Sequence, residues 1–147
     1  MKNPTRSIRL EKTHKLAIMP NKTHDDDAGY DLFVVEEKWL WPLQGAVLDT
    51  GWRVKIPVGC WGSIKSRSST FIKRRIKVYE GVIDSGYTGP LKIIVQNMSL
   101  LPKRVRLGDR LAQLIIIGEI RTEVWETPSL DSEKTTRGPE GFGSSGR

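Results

Sequence analysis

The sequence predicts an all-β protein, a barrel or sandwich of short strands. Three observations carry that expectation. Glycine (14) and proline (8) make up 22 of the 147 residues and recur from Pro42 to Pro102, leaving little room for long helices. Between them lie short runs rich in β-branched or aromatic residues, several with alternating polarity. The composition, 37% hydrophobic and 28% charged, can furnish a single globular core in a chain of this length.

In chain order, Met1–Leu10 mixes charges with single apolar residues and holds no secretory-type hydrophobic run. Val54-Lys55-Ile56 is the first predicted strand. Ser69–Ile76 is the one predicted helix, with Phe71, Ile72 and Ile76 as its apolar positions and the basic residues facing elsewhere. Lys77–Tyr79 reads as a strand. Glu80 to Leu91 reads as a β-hairpin, two apolar runs around a turn-rich tip that carries Asp84 and Tyr87. Leu91–Gln96 continues it. Leu111–Ile117 ends in the unbroken run Leu114-Ile115-Ile116-Ile117, the pattern of a central strand buried on both faces. Thr122–Trp125 is a last short strand. From Ser129 the composition turns to Ser, Thr, Gly and charge, which predicts a flexible C-terminal arm over 129–147 after a domain over 1–128.

Net charge is +7, from 24 Lys and Arg against 17 Asp and Glu, and the pI is ≈ 9.7; both favour polyanionic partners. The longest stretches without a charge, 39–48 and 93–102, fall short of the roughly 20 apolar residues a membrane span requires, so no membrane partner is expected. The lone cysteine, Cys60, and the absence of a secretory run predict a soluble, intracellular protein. The Asn-x-Ser/Thr triplets at Asn21 and Asn97 accordingly read as chance.

Four segments could carry chemistry. An acidic residue placed after Val82-Ile83 can serve as a general base toward water, or Asp84 can simply cap its turn. Arg137 to Arg147 supplies backbone N–H groups, hydroxyls and guanidinium forks, the donors that cradle phosphates, around a single aromatic, Phe142; it lacks a Walker A pattern. Arg67-Ser68-Ser69 sets phosphate-type donors at the predicted helix start, where a serine could equally be the N-cap. Asp25-Asp26-Asp27 with Asp31 could hold Mg²⁺ through water or form a solvated acidic surface. The basic run Lys73-Arg74-Arg75 with Lys77 shows no aromatic interleaving, so nucleic acid is not an expected partner. His14 and His24 lack a zinc-ligand pattern.

Taken in order, these strings resemble the five motifs of the trimeric deoxyuridine triphosphatases. Ala28-Gly29-Tyr30-Asp31-Leu32 is similar to the first and Arg67-Ser68-Ser69 to the second. Gly81-Val82-Ile83-Asp84 with Tyr87 and Gly89 is similar to the third, and Gly108 to Leu114 to the fourth. Arg137-Gly138 with Gly141 to Gly146 is similar to the fifth. Any one is weak; five in order across 28–146 are specific.

The resemblance implies a jelly-roll-like β-barrel, a homotrimer with active sites shared between subunits, and hydrolysis of dUTP to dUMP and pyrophosphate with Mg²⁺ on the triphosphate. One chain would supply motifs one, two and four, a second the third motif, and a third the arm. By motif position, Asp84 would be the general base and Tyr87 would pack against the deoxyribose. Backbone groups of the hairpin, Gly81 and Ile83 included, would read the uracil edge. Ser68, Ser69 and Gln113, with Arg67 beside them, would hold phosphate oxygens. Asp31 would sit in the second shell of the metal, through water, or support Asp84. Arg137, Phe142, Gly143, Ser144 and Ser145 would close over the substrate. Two positions depart from the pattern. Gly86 stands where many relatives carry an acidic residue, and Glu140 adds a negative charge beside the triphosphate. The nearest alternative, a dCTP deaminase, shares the fold and an Arg-Ser-Ser motif; the Gly-Val-Ile-Asp and Gly-Phe-Gly-Ser-Ser pair favours the pyrophosphatase.

Overall fold

The computed structural model describes residues 6–131 together with residues 133 and 135. Ten strands and one helix follow in order: β1 (Arg9–Lys12), β2 (Gly29–Phe33), β3 (Lys38–Leu40), β4 (Gly45–Lys55), β5 (Cys60–Ser66), α1 (Ser68–Arg74), β6 (Ile76–Val78), β7 (Gly81–Ile83), β8 (Pro90–Asn97), β9 (Lys103–Val105) and β10 (Arg110–Gly118). Two antiparallel four-stranded sheets, in the orders β1-β4-β8-β6 and β2-β10-β5-β7, are joined by the small pair β3-β9. This is the jelly-roll-like, all-β architecture that the sequence predicts. Its sheets keep open edges, so "barrel" describes the fold only loosely.

The core forms where the inner faces meet. In β8 every second residue is buried, and Leu91, Ile93 and Val95 share one core cluster with Leu48 and Val54 of the neighbouring β4 and with Leu32, Ile64 and Leu114 of the opposite sheet. Asn97, also wholly buried, ends this row. Its amide donates to the carbonyls of Leu40 (2.9 Å), Trp41 (3.2 Å) and Leu101 (2.8 Å), and its Oδ1 accepts from the Ser99 amide and hydroxyl at 2.9 and 2.8 Å. One side chain thus ties the end of β3 to the β8–β9 loop and is inaccessible to a glycan.

The structure corrects four expectations. The helix ends at Arg74, because Arg75 adopts a left-handed conformation (φ 55°) and Ile76 opens β6. Ile76 is therefore buried as a strand residue, whereas Phe71 and Ile72 are exposed and α1 buries Thr70 instead. The hairpin at 80–91 does not exist. β7 pairs with β5 and β8 with β4 and β6, so the Asp84–Tyr87 segment is a crossover between sheets. Thr122–Trp125 forms no strand; Val124 and Trp125 stand in solvent without a pairing neighbour. β10 is central, between β2 and β5, but only Leu111, Ala112 and Leu114 are buried, while Ile115, Ile116 and Ile117 are half-covered. Strands β1, β2, β3, β5 and β9, and β4 as far as Arg53, lie outside the predicted strands; β1 is nearly all polar. β4 carries a register shift between Asp49 and Arg53, centred on Gly51 (φ 74°), whose amide donates to Asp49 Oδ1 at 2.8 Å. Among the described residues no helix is long and apolar enough to cross a membrane.

Candidate active site

Motifs one, two and four converge on one small polar cavity of about 210 Å³ lined by Asp31, Arg67, Ser68, Ser69 and Gln113, with Gly29 and Asp27 at its side. Strand register creates this meeting. Asp31 of β2 lies directly opposite Gln113 of β10, and β10 pairs on its other edge with β5, which leads into Arg67. Gln113 Nε2 donates to the Ser66 carbonyl at 3.2 Å, which draws the end of β5 onto β10. A Cβ on Gly29 would lie 2.6 Å from Gln113 Oε1, so the glycine of the first motif makes room for the glutamine of the fourth. Thr70, buried in α1, donates to the Leu111 carbonyl at 2.8 Å and pins the helix start over the same strand.

The helix N-cap is Arg67, with no side-chain capping bond. Neither Ser68 nor Ser69 is consumed as the cap. The electrostatic centre is Asp31, 6% exposed, between two guanidinium groups: Arg67 Nε at 2.8 Å and Arg110 Nη1 at 3.1 Å. Burying a carboxylate is costly unless it is paired, and here each oxygen has its own charged donor. Arg110 was not singled out in the sequence; an arginine one residue before a predicted strand carries no signal of that role.

Asp84 and Tyr87 line a different cavity of about 440 Å³, with Gly81, Ile83, Val47 and Ile94. It shares no residue with the donor cavity. The Tyr87 amide donates to the Asp84 carbonyl at 3.0 Å, closing a turn over Ser85-Gly86. This turn uses the Asp84 backbone, and the exposed carboxylate takes no hydrogen bond from the described residues. Tyr87 Oη donates to the Pro90 carbonyl at 2.9 Å, and a Cβ on Gly89 would meet that hydroxyl at 2.4 Å. Gly89 therefore admits the tyrosine ring.

Other candidates are occupied locally. Asp27 accepts the His24 amide at 2.9 Å, and Asp25 and Asp26 are exposed. Arg74 pairs with Asp109 at 2.8 Å, while Arg75 and Lys77 sit over the rings of Phe71 and Tyr79 at 5.6 and 4.7 Å. Among the described residues no three His, Cys, Asp or Glu side chains converge as a metal cage. Mg²⁺ keeps several waters and commonly takes its other ligands from substrate phosphates. Asp31 fits an outer role of that kind, because each carboxylate oxygen retains a second lone pair beyond its arginine. Arg137, Phe142, Gly143, Ser144 and Ser145, and all but a few residues of the expected arm, lie outside the described residues.

The dUTPase family model matches residues 15–146. The deoxyuridine 5'-triphosphate nucleotidohydrolase of Clostridium novyi is 38% identical over 141 residues, spanning 95% of this chain and 98% of the relative. The mouse enzyme of the same name is 34% identical, spanning 96% and 86%. A Staphylococcus bacteriophage 80alpha dUTPase solved with dUPNHPP superposes with a TM-score of 0.91 at 32% identity, over 97% of this chain and all of that one. A mutant dUTPase of S. aureus phage phi11, in a structure that reveals the coordination of a structural Mg(II) ion, superposes with a TM-score of 0.80 at 28% identity, over 85% of this chain and 99% of that one.

Proposed function

The chain belongs to the dUTPase family, and from that premise we propose that it is a dUTP diphosphatase that works by water attack on the α-phosphorus, with Asp84 as general base. The observation that carries the mechanism is the separation of these groups within one chain: Arg67, Ser68, Ser69 and Gln113 line one cavity, and Asp84 and Tyr87 line another.

Arg67, Ser68, Ser69 and Gln113 hold the phosphate oxygens, and the Asp31 carboxylate keeps the Arg67 fork in place. Asp84, whose carboxylate has no protein partner among the described residues, orients a water and takes its proton as oxygen bonds to the α-phosphorus. The bond from that phosphorus to the bridging oxygen breaks, and pyrophosphate leaves. Bound Mg²⁺ would neutralise charge on the phosphates, with Asp31 reaching it through water. Tyr87, fixed over Gly89, packs against the deoxyribose and excludes a 2′-hydroxyl. Gly81 and Ile83 present backbone toward the base. Arg137, Phe142, Gly143, Ser144 and Ser145 close over the substrate from the arm, and cationic donors at a late-closing site stabilise the leaving group.

The separation of the two cavities supports a homotrimer in which each site takes motifs one, two and four from one subunit, the crossover from a second and the arm from a third. The test is complementation. Asp84→Asn and Arg67→Ala variants, each inactive alone, should regain dUTP turnover when unfolded and refolded together, because mixed trimers contain intact sites. The parent should release pyrophosphate from dUTP and not from UTP, dCTP or dTTP, and should release no ammonia from dCTP. A parent without dUTP turnover overturns the activity; an Asp84→Asn variant as fast as the parent overturns the mechanism.

A further inference from the structure

We infer that Lys55 and Arg53 are positioning residues for the Asp84–Tyr87 crossover and set its preference for deoxyribose over ribose, an inference that rests on the roles proposed above for Asp84 and Tyr87. The crossover has little support of its own. Its internal bonds are the Tyr87 amide to the Asp84 carbonyl at 3.0 Å and the Tyr87 hydroxyl to the Pro90 carbonyl at 2.9 Å, and a Cβ at Gly86 would meet nothing within 4 Å.

The remaining ties all reach one strand, β4. Lys55 Nζ donates to the Ser85 carbonyl at 2.5 Å, Arg53 Nε to the Thr88 carbonyl at 2.9 Å, and the Val54 amide to the Gly89 carbonyl at 3.2 Å. Two charged donors therefore grip the backbone on either side of Gly86-Tyr87. They can do so because residues i and i+2 of a strand share a face: Val54 points into the core at 2% exposure while Arg53 and Lys55 both point away from it. The register shift between Asp49 and Arg53 brings this stretch opposite Pro90, at the crossover's end. Arg53 is anchored in turn, since its register partner Glu11 on β1 accepts from its Nη1 at 2.8 Å. A brace from β1 through β4 thus fixes the backbone around the tyrosine that would touch the sugar.

Charged donors to a backbone carbonyl narrow its range of positions, and a loosened Tyr87 would admit the hydroxyl it excludes. Lys55→Met keeps the aliphatic stem and removes the donor. It should lower kcat/KM for dUTP about fivefold, the effect of one partly exposed hydrogen bond. UTP turnover, negligible in the parent, should rise to a measurable level, so that the dUTP/UTP ratio falls. Lys55→Arg, which keeps a donor, should restore the ratio. Amide exchange at Tyr87 should be faster in Lys55→Met than in the parent or in Lys55→Arg. Unchanged exchange overturns the brace, and this readout stands even if the parent fails to turn over dUTP. Faster exchange with an unchanged dUTP/UTP ratio overturns the selectivity role.

Discussion

Replacing Asp31 by asparagine tests the electrostatic centre of the donor cavity with minimal change of shape. The carboxylate, with a side-chain exposure of 8%, receives Arg67 Nε at 2.8 Å and Arg110 Nη1 at 3.1 Å. Asparagine can accept one guanidinium through its oxygen but turns an NH₂ donor toward the other. Each hydrogen bond to a charged group is worth about 1.5–3 kcal/mol when well shielded. The two guanidinium groups are 27% and 44% exposed, so water recovers part of the loss. A net figure of about 2 kcal/mol is reasonable, and if it is expressed on Arg67 in the transition state, kcat/KM for dUTP falls about 30-fold. Steady-state pyrophosphate release, with thermal unfolding run in parallel to show a folded protein, measures it. A variant within threefold of the parent, at an unchanged melting temperature, would mean that Arg67 is not held by Asp31 for catalysis.

Three further perturbations probe the core, the crossover and the arm. Asn97→Ala abandons the Leu40, Trp41 and Leu101 carbonyls and should cost about 2–4 kcal/mol in urea unfolding; a loss under about 1 kcal/mol would show that water replaces the amide. Gly89→Ala puts a methyl group 2.4 Å from the Tyr87 hydroxyl, so the ring must move. Turnover should drop at least about tenfold and discrimination against UTP should weaken, whereas intact selectivity would free Tyr87 of its sugar role. Deleting residues 137–147 should reduce turnover on the order of 10²-fold while circular dichroism stays that of the parent, and unchanged kinetics would remove the arm from the mechanism.

What the residue types disclose and what they conceal divides along a physical line. The donor cavity was legible because Asp31, Arg67, Ser68, Ser69 and Gln113 are chemically distinctive and stand in distinctive strings. Their convergence depends on the β2-β10-β5 pairing, which strand propensity does not specify. The same gap explains the false hairpin. Two apolar runs around a turn look alike whether they pair with each other or with distant strands, and Gly81–Ile83 has its partner in β5. The helix face failed differently. Ile76 is apolar because β6 is buried, not because it continues a helical stripe from Phe71 and Ile72. Lys55 and Arg53 left no signal, since alternation marks only that they face away from the core. The Asn97 clamp was equally silent, because an asparagine closing a strand usually reads as a turn residue.

That the Asp84–Tyr87 segment bridges two sheets also bears on how its length can change. In a hairpin, adding one residue to the turn shifts the strand register and inverts every side chain beyond it. Here β7 takes its register from β5, and β8 takes its own from β4 and β6. An insertion or deletion between Ile83 and Pro90 leaves both ladders unshifted and the core side chains facing inward. The segment that would choose the sugar is the one whose length the scaffold leaves open to variation.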